Sequence, residues 1–145
     1  GKRPLLERRD MLEAYSNNQT ILTNGYLPFT SASLVKGKTA TLNGVSTIEL
    51  NKSGIYEVIL NIDALPSAAG NLIINMLKNN VIQQQAIINV PSVATNGISA
   101  TVATLVSVRD DNSCKCNCLP TSLQFVNTGV GLEQAKVNVV ITKIC

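Results

Sequence analysis

The stretch Gly54-Ile55-Tyr56-Glu57-Val58-Ile59-Leu60-Asn61-Ile62-Asp63 decides the fold. In an extended chain successive side chains point to opposite faces, so Tyr56, Val58, Leu60 and Ile62 fall on one side and Glu57, Asn61 and Asp63 on the other. Ile55 and Ile59 interrupt the polar side. Ile98 to Val108 repeats the pattern, with Ile98, Ala100, Val102, Val106 and Val108 facing Ser99, Thr101 and Ser107, and Leu105 intruding among the polar positions. Two strands therefore carry apolar groups on both faces. A symmetric partner is the simplest cover for the second face, because it removes water from the same patch on every copy.

Working outward, Leu72 to Leu77 and Val81 to Ile88 flank the turn residues Lys78-Asn79-Asn80 and read as a hairpin. Asn24-Gly25, Asn43-Gly44 and Asn96-Gly97 are further turn signals, and Val137, Val139 and Ile141 form the inward set of a final strand. These signals predict about eight to ten short strands with no helices between them, which is the pattern of an all-β antiparallel sandwich or barrel. A length of 145 residues fits one domain. Aromatics make up 3% of the chain and Trp is absent, so branched aliphatics must fill the core, and these suit a pleated sheet. Hydrophobic residues at 45% against charged ones at 14% indicate more burial than one subunit needs.

The opening of the chain reads differently. Pro4 suits a first helical turn, and Leu5, Glu7, Arg8, Arg9, Asp10, Met11, Leu12, Glu13 and Ala14 mostly favour helix. Leu5 and Leu12 lie one heptad apart. Residues 1–20 are therefore expected to be a tail or short helical stem, and residues 21–145 the β domain.

Thr47-Ile48-Glu49-Leu50-Asn51-Lys52-Ser53-Gly54-Ile55-Tyr56-Glu57-Val58 resembles the strand-turn-strand of C1q/TNF-like trimeric heads, with its Gly followed by an aliphatic residue and Tyr. The likeness continues through Leu72-Ile73-Ile74-Asn75, Ile98 to Val108, Ser122-Leu123-Gln124-Phe125-Val126-Asn127 and Val137 to Ile144. The heads it resembles include the C-terminal domains of collagen-like glycoproteins on Bacillus spores and similar phage fibre heads. The resemblance implies a jelly-roll sandwich of about ten strands and a tight homotrimer with an aliphatic interface. It places Tyr56 beside the trimer core, with Val58, Leu105 and Phe125 as further interface candidates. No collagen-like Gly-x-y repeat is present, and a cysteine cluster is added.

The chain has no His, which removes the usual general base, the common nucleophile pairs and the commonest ligand of catalytic zinc. Glu49, Glu57, Asp63 and Glu133 occur singly and form no acid/base pair. The expectation is a protein that is not an enzyme and has no cofactor. Asp110-Asp111-Asn112 lacks the alternating spacing of a calcium loop and reads as an acidic turn.

Cys114, Cys116 and Cys118 would share one face of an extended chain, and Cys145 closes the sequence. Three readings stay open for them. Disulfides from the cluster to Cys145 or to a partner subunit need ordinary geometry, whereas a bridge between cysteines two apart is strained. Cys114, Cys116 and Cys118 as metal ligands are a weak alternative, since structural zinc generally uses wider spacing. A loop of free thiols is the third.

A formal charge of +3 with no dense cationic patch or aromatic platform argues against nucleic acid. No apolar run approaches the roughly 20 residues of a membrane-spanning helix. The reading is a structural or interaction protein, the homotrimeric head or decoration domain of a virion or of a bacterial spore or cell-surface fibre. Residues 1–20 would attach it to a capsid, tail or spore coat. The alternative is an adhesion module that binds a glycan or cell-surface receptor through the loops around Pro66 to Asn71 and Pro91 to Gly97.

Overall fold

A computed structural model describes residues 9–109 and 119–145. Ten strands account for most of them: β1 (Met11–Ile21), β2 (Ser31–Lys36), β3 (Ala40–Asn43), β4 (Thr47–Leu50), β5 (Gly54–Pro66), β6 (Gly70–Lys78), β7 (Val81–Ser92), β8 (Ile98–Val108), β9 (Thr121–Asn127) and β10 (Leu132–Lys143). They form two five-stranded sheets, ordered β2-β1-β10-β5-β8 and β3-β4-β9-β6-β7. We call them the first and second sheet. Every strand pairing is antiparallel. The all-β sandwich expected from the alternation is therefore the observed architecture, and the described residues include no helix.

The core lies between the sheets. Tyr56, Val58, Leu60 and Ile62 of β5 and Val137, Val139 and Ile141 of β10 point into it from the first sheet. Leu72, Ile74 and Met76 of β6 and Leu123 and Phe125 of β9 meet them from the second. Phe29 and Phe125 pack edge to face at a centroid distance of 6.0 Å, so the chain's two Phe residues form one contact. The β6–β7 hairpin turns on Asn79 and Asn80, whose φ angles of 48° and 67° are those of a tight two-residue turn that asparagine tolerates.

Two expectations need correction. Residues 11–20, expected to be part of a tail or short helical stem, belong with Ile21 to β1, which lies between β2 and β10. Its Leu12, Ala14, Ser16 and Ile21 are buried, so the β domain begins at least ten residues earlier than expected. Pairing with β10 from Met11↔Thr142 to Ile21↔Leu132 outweighs local helix propensity. The second correction concerns Tyr56, Val58 and Phe125. All three are buried between the two sheets of a single chain, which leaves them no surface for a neighbour. Of the four interface candidates, Leu105 alone is exposed, at 56%.

The two ends of the sandwich differ in composition. One end gathers the turns at residues 22–25, 67–69, 93–97 and 128–131, which contain no charged residue. Asn127 binds this end together: its amide donates to the carbonyls of Ile21, Leu22 and Val130, and its side-chain oxygen accepts from the Gly129 N–H. At the other end β1 begins, β10 finishes and β4 turns into β5.

Candidate assembly face

Because β1, β10, β5 and β8 turn alternate residues toward the core, while the edge strand β2 buries none, the remaining side chains form a grid on the outer face of the first sheet. The cross-strand registers define its rows. Lys36, Met11, Thr142, Glu57 and Leu105 lie side by side, followed by Leu34, Glu13, Val140, Ile59 and Ala103. The next row is Ser31, Tyr15, Asn138, Asn61 and Thr101. Leu34, Met11, Val140, Ile59, Ala103 and Leu105 form an aliphatic patch across the first two rows while the third row is polar, and no helix of the described residues covers the face.

Several of its polar groups bond to one another. Thr101 donates to the side-chain oxygen of Asn61 at 2.7 Å, and Ser99 donates to Asp63. Glu13 accepts from Ser33 at 2.6 Å through one oxygen and from Asn138 at 3.3 Å through the other. These two hydrogen bonds hold the Glu13 carboxyl below its ordinary range, with the Ser33 bond the larger cause, against a smaller opposing effect of burial. The carboxylate therefore lies fixed on the face next to Val140.

The second sheet also shows apolar residues outward. Tyr26 bridges to Val126, and Val126, Asn75 and Ile87 continue that row, with Tyr26 46% and Ile87 36% exposed.

The loops named as the alternative site do come together. The Thr95 N–H donates to the Pro66 carbonyl at 2.9 Å, and the Ser92 hydroxyl donates to that of Ala68 at 3.4 Å. Beside them lies an open depression of about 320 Å³, lined by Asp63, Leu65, Gly97, Ile98, Ser99 and Gln134 among others. It contains no aromatic ring.

Cys145 is exposed, and its carbonyl accepts from the Ile55 N–H at 3.3 Å and from the Lys143 ammonium at 2.8 Å. Cys114, Cys116 and Cys118, with Asp110-Asp111-Asn112, lie outside the described residues. Among the described residues no group of three or more His, Cys, Asp or Glu side chains is placed to hold a metal. Sequence reasoning missed Glu13, Asn138 and Tyr15 as face residues because it placed Glu13 and Tyr15 in a stem and left the outer side of β10 unassigned.

No family model matches the sequence. No curated protein matches it either. Solved structures do match in shape. The PRD1 vertex protein P5 superposes with a TM-score of 0.61 at 17% identity, covering 94% of this chain and 97% of that one. The globular domain of zebrafish complement 1qA gives 0.61 at 3% identity, covering 94% and 98%. The fold is a C1q/TNF-like jelly roll. Eiger TNF from S. frugiperda gives 0.62 at 14% identity, covering 94% of each chain. With identities this low, the jelly-roll match describes backbone architecture, and it spans β1 to β10 as one unit.

Proposed function

We propose that this jelly roll is a non-enzymatic structural head that assembles as a homotrimer through the outer face of its first sheet. The observation that carries the reading is the aliphatic grid of Leu34, Met11, Val140, Ile59, Ala103 and Leu105, which no helix of the described residues covers. Water on such a patch costs roughly 25 cal/mol per Å², so covering it against sister chains is a direct source of stability. The trimeric habit comes from the C1q/TNF-like resemblance in β4 and β5. A place on a virion as vertex or fibre decoration is supported by the likeness in shape to the phage vertex protein. A bacterial spore or cell-surface fibre rests on the sequence resemblance alone.

The absence of His, and the single occurrence of Glu49, Glu57, Asp63 and Glu133 along the sequence, support a role without catalysis. Multi-angle light scattering on the full chain tests the assembly: three chain masses at micromolar concentration are expected. A uniform single-chain mass overturns the reading.

A second reading, a receptor- or glycan-binding module, is favoured by the meeting of the 67–69 and 93–97 turns beside the depression at Asp63 and Gln134. Glycan-array binding that disappears on changing Gln134→Ala supports it. An array without hits returns the protein to a purely structural role.

A further inference from the structure

The cations of this chain are scattered in sequence, yet the fold collects them. Lys36 sits opposite Met11 at the start of β1, and Arg9 precedes Asp10, whose carbonyl accepts from the Lys143 N–H at 3.0 Å. Lys143 pairs with Tyr56, and the Tyr56 hydroxyl donates to the carbonyl of Lys52 at 2.7 Å. Lys38 offers its carbonyl to the Asn51 amide at 2.9 Å, and Arg109 follows Val108, the partner of Gly54. Lys78 joins the same rim, its ammonium donating to the Ser107 carbonyl at 2.7 Å. Among the described residues, Lys136 is the one Lys or Arg in the other half of the sandwich, where it pairs with Asp63. Among the described residues, Asp10, Glu49 and Glu57 are the carboxylates nearest the cationic end. The opposite turns carry no charge at all.

A small net charge of +3 thus conceals a strong axial asymmetry. Like charges brought together repel one another, and nothing in packing the core requires Lys38, Lys52 or Arg109, all exposed, to share an end.

We propose that this end, carrying Arg9, Lys36, Lys38, Lys52, Arg109 and Lys143, is a docking surface for an acidic protein. The cations come from β2, the β2–β3 and β4–β5 turns, the residue after β8, β10 and the segment before β1, so they are spread across the end of the sandwich and do not follow a track along one face. A nucleic-acid strand is gripped by a cationic groove with stacking rings, and the one aromatic residue at this end, Tyr56, is buried. A broad array of mostly lysine point charges suits carboxylates presented on a protein surface. The proposal does not depend on the trimer, since each chain carries the whole set.

The test uses the full chain on sensors coated with poly-L-glutamate or with double-stranded DNA of equal charge. Lys36→Gln/Lys38→Gln/Lys52→Gln is compared with Ser67→Glu/Ala94→Glu/Asn96→Glu, which lowers net charge equally but at the opposite end. The exposed Lys52→Gln alone serves as the milder variant if the triple change disturbs folding, as judged by circular dichroism. Polyglutamate binding is expected to weaken about tenfold in the lysine triple, by a smaller factor in Lys52→Gln, and less than about twofold in the distal triple. Equal losses in both triples, no loss in either, or tighter retention on DNA than on polyglutamate overturns the proposal.

Discussion

The side-chain amide of Asn127 donates to the Val130 carbonyl at 2.9 Å while its oxygen accepts from Gly129 at 3.0 Å, so one fully buried residue closes the β9–β10 turn from within. The same amide reaches the carbonyls of Ile21 and Leu22 at the end of β1. Asn127→Ala removes these hydrogen bonds at once, and the Leu22 carbonyl keeps another partner, the Gly25 N–H at 2.9 Å. Each uncompensated buried group costs roughly 1–3 kcal/mol, and the expected loss in urea unfolding is about 2–4 kcal/mol. Asn127→Asp keeps the acceptor but loses the donor, and should not restore stability at neutral pH.

Tyr56 anchors the start of β5 by donating to the Lys52 carbonyl at 2.7 Å from a buried ring. Tyr56→Phe keeps the packing and should cost about 1 kcal/mol. Burial, and secondarily the charge of Asp10, push the Tyr56 hydroxyl above its ordinary value. Its contribution is then fully present below about pH 10 and is lost as pH rises through the higher folded value, because the unfolded chain ionises first. The Phe variant should therefore show a shallower loss of stability in alkaline titration than the parent.

Glu13 has the opposite sign. Its carboxyl is held below the ordinary value by Ser33 and then by Asn138, so its contribution exists above the unfolded value and disappears as pH falls through the lower folded one. Glu13→Gln should lower the urea midpoint at neutral pH and flatten its dependence between about pH 5 and pH 3. A parent and variant with parallel pH curves would remove Glu13 from the account.

On the assembly face, Ile59 stands between Val140 and Ala103 at the middle of the grid. Ile59→Lys puts an ammonium group there in every copy, and burying an unpaired charge costs several kcal/mol. Sedimentation velocity at low micromolar concentration should show the variant as single chains with unchanged circular dichroism. Ile73→Lys, on the outer face of the second sheet, should leave the trimer intact.

Much of the architecture was legible because strand alternation is a local signal. Ile98 to Val108 was recognised as a strand with the bounds that β8 has, and the Asn79-Asn80 turn lies where the hairpin required it. Which of two apolar faces looks inward is not local. The family resemblance places Tyr56 at the interface with Val58 beside it, and because β5 is apolar on both sides only the packing of the second sheet decides that both look inward. In β1, Met11, Leu12, Glu13 and Ala14 are good helix formers, and the alternation of buried Leu12, Ala14 and Ser16 was the overlooked sign. The outer grid depends on registers between segments more than a hundred residues apart, such as Glu13 with Val140. The cationic end was invisible for the same reason.

Since β1 starts and β10 stops at one pole of the sandwich, the turns at the far pole are free of the chain's entry and exit. The exposed 93–97 turn between β7 and β8 is thus a natural site for grafting foreign peptides. Doubling the length of such a connection adds only about 0.6 kcal/mol of closure entropy, so the jelly roll should serve as a display scaffold whose cargo points away from whatever holds it.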